Sequence, residues 1–525
     1  MMQYDVILIG QIEGSQTGGF TGDGSSPYTY LETLAPTYLC NHFYNTFCAE
    51  PVFLLQLAAE LRAKGLKVKV LDGLTGNLTK ETLYLELKKY ETSIYAFSLF
   101  HSSYSAVVEL ARKIKNVHPN STIITGGTYA TLVYKPLLEK HPEFDYVVLG
   151  DGDRSLPKLC TVLISKKMSK IEPIHGIAYR YGNTIKETPP EPVNLDSVQP
   201  LARDFSNAIL EKKFSFSMVA SRGCGHGVCS FCYLPRYQKL SNHPKYRHRC
   251  IESIIREMTD LKSTYNVSHI TFVDEDFFCG TPQESIERAT DFANALITSK
   301  LNMTFYVNAR INTINNLIRS KIGNTDDNVI ALLVRAGLRF VFVGIESGSD
   351  DILRNYKKGT TVASIKMTAD ELAKHNIKIN PGLITFTPSL TVHHVKDNID
   401  MMRYINYYDI FMFTRKLVIL PGTQIGTISG LWELPSDNSN VVYDFDYTET
   451  KNLYFALIAF RDKLFPIYKK LTVTGFVNEK TRDRLAYNHF RCFYELYHDI
   501  VENDARGISM IINKHLVLAE KIADE

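Results

Sequence analysis

Strand-length apolar runs alternate with helical patterns along most of this 525-residue chain. That alternation confines the fold to parallel sheets wrapped by helices. In the first third, strands are read at Tyr4–Gly10, Lys67–Leu71, Thr92–Leu99, Thr122–Thr125 and Tyr146–Leu149. Helical spacing covers Phe53–Lys64 and Tyr104–Lys115. A hairpin is read at Gly176–Arg180 and Thr184–Glu187, and a Pro-rich linker follows it. Residues 1–195 are thus expected to form a doubly wound parallel sheet. Ligands of such sheets sit beyond the C-terminal strand ends. Those ends carry Ser98, His101, Ser102, Gly126, Gly127, Thr128 and the turn Gly150-Asp151-Gly152. Small residues there admit a large ligand, or they simply make tight turns. Between the first strand and first helix, residues 11–50 form a long loop rich in Gly, Ser and Thr. Loops of this length are functional or disordered, and Tyr28, Tyr30, Tyr38, Phe43 and Tyr44 argue against plain disorder.

A second βα series follows at 196–430. Strands are expected at Phe214–Val219, Val267–Val273, Met303–Ala309, Phe340–Ile345, Ile379–Phe386 (broken by Pro381-Gly382) and Phe411–Leu420. Six such units make a partial (β/α)6 barrel, whose active face is the C-terminal end of its strands. Polar residues stand there: Asp274, Glu275 and Asp276, then Asn308 and Arg310, then Glu346 and Ser347. Acceptors suit an amino group, and arginine suits a carboxylate in bidentate fashion. From about 431 to 525 the pattern turns helical and rich in Tyr and Phe, which reads as a C-terminal helical domain.

Directly after the first barrel strand come Cys224, Cys229 and Cys232, spaced C-x4-C-x2-C. Three thiolates so close can serve only one centre. A zinc ion would need a fourth ligand, for which His226 or His243 is available. A 4Fe–4S cluster held by three cysteines leaves one iron open for chemistry. The spacing alone leaves both readings standing. The other six cysteines, Cys40, Cys48, Cys160, Cys250, Cys279 and Cys492, are isolated and read as apolar fillers.

Several longer phrases carry a resemblance. They are YRHRCIESIIREM at 246–258, FVDEDFF at 272–278, AGLRFVFVGIESGSDDIL at 336–353 and KKGTT at 357–361, together with VLDGL, AFSLFHSSY, IITGGTYAT and FDYVVLGDGD upstream. With the three cysteines, they make the chain resemble the cobalamin-dependent radical S-adenosylmethionine enzymes over roughly residues 1–425. The resemblance implies a cobalamin-binding Rossmann-like domain ahead of a radical SAM barrel. It implies a 4Fe–4S cluster on Cys224, Cys229 and Cys232, with S-adenosylmethionine near Asp274, Glu275, Asp276, Asn308, Arg310, Glu346 and Ser347. Cobalamin would lie at Ser98, His101, Ser102, Gly126, Gly127, Thr128, Gly150, Asp151 and Gly152. In the family, cleavage of S-adenosylmethionine gives a 5′-deoxyadenosyl radical that abstracts hydrogen from an unactivated carbon. Two departures are visible. The family spacing is C-x3-C-x2-C, and Gly225 and Gly227 can absorb the extra residue here. The D-x-H-x-x-G motif that gives cobalt a histidine elsewhere reads Asp72-Gly73-Leu74-Thr75-Gly76-Asn77.

The first expectation is therefore methyl transfer to an sp3 carbon. The second is a radical cyclisation, ring contraction, oxidation or epimerisation, with or without cobalamin. From another class comes a non-catalytic, zinc-stabilised ligand-binding protein. A formal net charge of +3 gives no support for a nucleic-acid partner. Neither a signal peptide nor a membrane span is read. A cytoplasmic setting is expected, with a ferredoxin or flavodoxin as reductant and a small metabolite or peptide as substrate.

Overall fold

In the N-terminal seven-stranded sheet the first strand in chain order, β1 (Val6–Ile9), is four aliphatic residues buried on both faces, which marks it as the interior of a parallel sheet. Around it, a computed structural model describes residues 2–524 apart from 13–49, 77, 167–170, 172, 212–214, 324–326, 409, 429–442 and 474–478. Most of the long glycine-rich loop, with Cys40 and Cys48, thus lies outside the described residues.

Parallel strands β2 (Val68–Leu71), β3 (Ile94–Ser98), β4 (Thr122–Gly126) and β5 (Tyr146–Val148) join β1, and the antiparallel hairpin β6 (Ile177–Tyr181) and β7 (Thr184–Glu187) extends the edge. The sheet order is β2-β1-β3-β4-β5-β6-β7. Helices α1 (Val52–Ala63) and α4 (Gly152–Ile164) cover one face through Leu54, Leu55, Leu61, Leu156 and Leu159. Helices α2 (Tyr104–Val117) and α3 (Thr128–Lys140) cover the other through Val107, Leu110, Val133 and Leu137. Each buried leucine of this kind contributes about 1.5–3 kcal/mol. Strand order reverses between β1 and β3, and ligands of doubly wound sheets bind at that switch point.

The second unit is a five-stranded parallel sheet in the order β8 (Phe216–Met218), β11 (His269–Phe272), β12 (Thr304–Ala309), β13 (Leu338–Glu346), β14 (Lys378–Leu383). A short antiparallel pair, β9 (Ser221–Gly223) with β10 (Tyr246–His248), stands beside it. Helices return the chain between strands: α5 (Leu234–Leu240) after β9, then α6 (Ile251–Tyr265), α7 (Pro282–Ser299), α8 (Ile311–Arg319), α9 (Val329–Ala336), α10 (Val362–Lys374) and α11 (Val392–Tyr404). Thr281 and Glu284 close a capping box that starts α7, with Pro282 in its first turn, so local sequence sets where the strand-end loop stops.

Two expectations are corrected. The strand at 379–386 is not broken by Pro381-Gly382, because Pro381 and Gly382 pair with Val343 and Gly344. β14 is an edge strand, where a missing N–H need cost no ladder bond. The sixth strand does not form. Ile410–Phe413 is one helical turn, and among the described residues a single parallel bridge, Phe386 to Lys416, continues the sheet. Phe413 instead packs against Phe490 and Phe493 of the C-terminal helices, at 5.3 and 6.1 Å between ring centres. Those helices are α12 (Thr448–Val473), α13 (Glu479–Glu502) and α14 (Ile508–Asp524), and their apolar faces merge into the barrel core.

Candidate active site and cofactor cavity

The β9–β10 pair explains the phrase YRHR: it is the return strand of an excursion, with Gly223 opposite Tyr246 and Ser221 opposite His248. Residues 224–245 between them carry all three clustered cysteines. Gly227 has φ 53°, a left-handed conformation that suits glycine. The loop is gripped from several sides. Gly225 N–H donates to Cys279 Sγ at 3.0 Å. His226 Nε2 donates to the Lys357 carbonyl at 2.7 Å. Ser230 donates its N–H to Tyr356 O and its hydroxyl to Asn355 O, at 3.0 and 3.1 Å. Asn312 holds Gly359 O at 2.6 Å. The KKGTT phrase is thus the turn that clasps the cysteine loop. Cys224, Cys229 and Cys232 are half-buried. Burial pushes the Cys232 thiol up to about 12, so a ligand role requires a metal to displace its proton.

The strand-end residues divide. Asp274 is buried, and its carboxylate accepts from Ala220 N–H at 3.1 and 3.3 Å. Asp276 is also buried and accepts from Thr313 Oγ1 at 3.0 Å. Ser347 is buried and donates to Asn398 Oδ1 at 2.7 Å. Burial raises both aspartates, Asp274 to about 7 and Asp276 to about 6. These three brace the strand ends. Asn308 donates to the Asp274 carbonyl at 2.7 Å. Arg310 donates Nη2 to the Lys358 carbonyl at 3.1 Å, while its buried Nε has no protein partner. Glu346 accepts from Lys358 Nζ at 2.7 Å and has φ 66°, a strained backbone for a non-glycine residue. Glu275 is raised by burial, accepts from Gly223 N–H at 2.9 Å and faces a different space.

That space is a cavity of about 250 Å³ between the two sheets. Its floor is the switch point of the first sheet: Leu8, Phe97, Ser98, Gly126, Gly127, Thr128 and the turn Gly150–Asp153. Its roof comes from the barrel: Arg222 and Gly223 before the cysteines, Tyr233 and Leu234 after them, then His243, Arg247 and Glu275. The two ends of the cysteine loop are therefore one wall of this cavity. His101 and Ser102 stand outside the lining; they sit in a helical turn, His101 edge-on to Tyr129 at 5.3 Å. Gly150 has φ 70°, and a Cβ there would meet Ser241 Cβ at 3.0 Å. The same turn clamps the two units. Asp153 takes both guanidinium nitrogens of Arg222, at 2.7 and 2.9 Å, and Asp151 takes Arg247 at 2.7 Å. Burial opposes the charge on Asp151, yet Arg222, His243 and Arg247 hold its carboxyl below the usual range.

A model of the radical SAM superfamily matches residues 218–402, and a model of the B12 binding domain matches residues 46–160. The chain thus carries a B12-binding domain followed by a radical SAM domain. The radical SAM domain implies a 4Fe–4S cluster and S-adenosylmethionine, and the B12-binding domain implies cobalamin. An uncharacterized methyltransferase of Pyrococcus horikoshii is 26% identical over 316 residues, 59% of this chain and 64% of that protein. An anaerobic magnesium-protoporphyrin IX monomethyl ester cyclase of Synechocystis is 25% identical over 368 residues, 68% of each chain. The structure of the cobalamin-dependent S-adenosylmethionine radical enzyme OxsB, with aqua-cobalamin and S-adenosylmethionine bound, superposes with TM-score 0.75 at 18% identity, over 99% of this chain and 80% of that one. The radical S-adenosylmethionine methyltransferase TsrM of Kitasatospora setae gives TM-score 0.54 at 16% identity, over 78% and 72%.

For a radical SAM, B12-binding chain the donors present fit. Three thiols share one gripped loop, and the cavity holds buried nitrogens without protein partners: His243 Nε2, Arg222 Nε and Arg247 Nε. The radical SAM and B12-binding matches favour a radical SAM enzyme over the zinc-protein reading. One zinc draws its sulfurs to about 2.3 Å, so they crowd together. Among the described residues no three His, Cys, Asp or Glu side chains converge in that way. His226 is spent on Lys357, and His243 belongs to the cavity roof. A cubane asks less, since each thiolate meets its own iron. Asp72, in the altered D-x-H-x-x-G stretch, uses its carboxylate on Gln11 N–H and Thr75 N–H, at 2.9 and 2.8 Å. Sequence reasoning left three contributors out of the site: Cys279, Lys358 and Arg222. Only Lys358 had a signal, as part of KKGTT.

Proposed function

We propose that this chain is a cobalamin-dependent radical SAM C-methyltransferase. One observation supports the reading: residues flanking the cysteines, Arg222, Gly223, Tyr233 and Leu234, and the glycine-lined strand ends of the first sheet line a single cavity. When bound, the cofactors would supply a 5′-deoxyadenosyl radical and a transferable methyl group. The chain's own residues supply position and shelter. Cys224, Cys229 and Cys232 would hold the cluster. Arg310, with its unpartnered Nε, suits a carboxylate. Asn308 and Glu346 are the polar groups left to meet S-adenosylmethionine, while Glu275 faces the cavity. Asp274, Asp276 and Ser347 position the backbone that carries them. Ser98, Gly126, Gly127, Thr128, Gly150, Asp151 and Gly152 form the cobalamin side. The apolar lining, Leu8, Leu54, Ala96, Ile124 and Val148, keeps water out.

Similarity to the protoporphyrin ester cyclase over 68% of each chain supports a second reading, radical cyclisation or oxidation. The reductant is proposed as a ferredoxin or flavodoxin and the setting as cytoplasmic; among the described residues no helix is long and apolar enough to cross a membrane. The test is anaerobic incubation of the full chain with S-adenosylmethionine deuterated at its methyl group, a low-potential reductant and cobalamin. S-adenosylhomocysteine together with 5′-deoxyadenosine supports methylation. 5′-Deoxyadenosine alone supports the cyclase-type reading, and neither product contradicts both.

A further inference from the structure

Lys358 is a buried cation in a place where burial is costly. It is 6% exposed, and its ammonium is held by Glu346 Oε1 at 2.7 Å. A buried lysine is kept charged only by partners that repay desolvation. Its turn lies against the cysteine loop at both ends: His226 bonds Lys357 O, and Ser230 bonds Tyr356 O and Asn355 O. Ser230 is the neighbour of Cys229 in the chain, so these two bonds bring the Lys358 turn to the Cys229 side of the loop, and Arg310 Nη2 bonds the Lys358 carbonyl at 3.1 Å. Gly344 leaves the room that this pair fills, since a Cβ there would meet Lys358 Nζ at 2.7 Å and Glu346 Oε1 at 2.5 Å. Lys358, Glu346 and Arg310 are thus joined to one another on the turn that holds the Cys229 side of the loop.

We propose that the Lys358–Glu346 pair sets the reduction potential of the cluster, Lys358 raising it and Glu346 lowering it. The inference rests on the functional reading above, in which Cys229 is a cluster ligand. Adding one electron makes the cluster more negative. A nearby buried cation stabilises that reduced form, and a nearby anion opposes it, because net local charge is a main lever on such potentials. Lys358 and Glu346 are thus tuning residues of the electron-accepting step. The electron itself comes from the external low-potential reductant.

The test is an anaerobic redox titration of the full chain without S-adenosylmethionine or substrate. The reduced cluster is followed by electron paramagnetic resonance. Iron and sulfide are assayed in every sample. Glu346→Gln should shift the midpoint to more positive potential, Lys358→Met to more negative, and Lys358→Arg should restore the wild-type value. A merely structural role would not give opposite signs. Wild-type protein without iron would sink the functional reading itself. If iron is present and either Glu346→Gln or Lys358→Met leaves the midpoint unmoved, this inference alone is overturned. Should Lys358→Met fail to keep its cluster, Glu346→Gln decides.

Discussion

At Asp274, burial and one backbone donor pull against each other. The Ala220 N–H favours the carboxylate, but burial wins and lifts its pKa to about 7, above the ordinary value of 3.8. An acid raised in the folded state binds more protons there than in the unfolded chain between those two values. Stability must therefore fall as pH rises from about 4 towards about 7. Asp276, lifted to about 6, adds a slope of the same sign. Asp274→Asn keeps an acceptor for Ala220 and removes one titration. Urea melts at pH 5, 6, 7 and 8 should show a flatter loss of stability for the variant, and an unchanged slope would contradict the assignment. Cys279 makes a second prediction. Cys279→Ala leaves the Gly225 N–H without its acceptor, a loss of about 1 kcal/mol or more at the cysteine loop. Iron retained after gel filtration should drop, whereas Cys250→Ala, at an exposed helix start, should leave it unchanged.

At the scale of elements, the turn after β5 does two jobs. Its glycine lines the cavity, and its aspartates fasten the barrel. Removing one partner of a buried ion pair strands the other, at a cost of about 3–5 kcal/mol. Arg222→Leu should therefore lower the melting temperature sharply. The double variant Asp153→Leu/Arg222→Leu should recover much of the loss, and a double variant as unstable as the sum of the singles would refute the clamp. The turn was legible in the sequence as a ligand-side feature but not as a clamp, because its partner Arg222 lies 69 positions away. Strand-length apolar runs mark β1, β3, β4, β12 and β13, since burial on both faces writes itself into sequence. The return strand β10 was hidden: it is three residues long and polar, and only its pairing with β9 defines it. Phe411–Leu420 misled for the opposite reason. Its aromatics found partners on α13 rather than in a sixth strand. The cysteines were plain from spacing. The split between Glu275, facing the cavity, and its neighbours Asp274 and Asp276, bound to the protein itself, needed coordinates.

For the whole molecule, the two sheets share one cavity, so blocking it from one side should separate the cofactors. Gly126 is suited to this. A Cβ there would meet Val148 only at 3.4 Å, an ordinary contact, and the residue lines the cavity. Gly126→Phe should abolish retention of corrinoid while iron per chain stays at the wild-type value. Loss of both would point to misfolding rather than a blocked cavity. The central claim is a radical SAM centre that works beside bound cobalamin. It is tested most directly by iron, sulfide and cobalt analysis with a visible spectrum, on protein purified without oxygen from cells supplied with cobalamin. The account predicts iron and sulfide for one 4Fe–4S cluster per chain together with one corrinoid. Iron without corrinoid would contradict the shared cavity, and zinc without iron would contradict the centre itself.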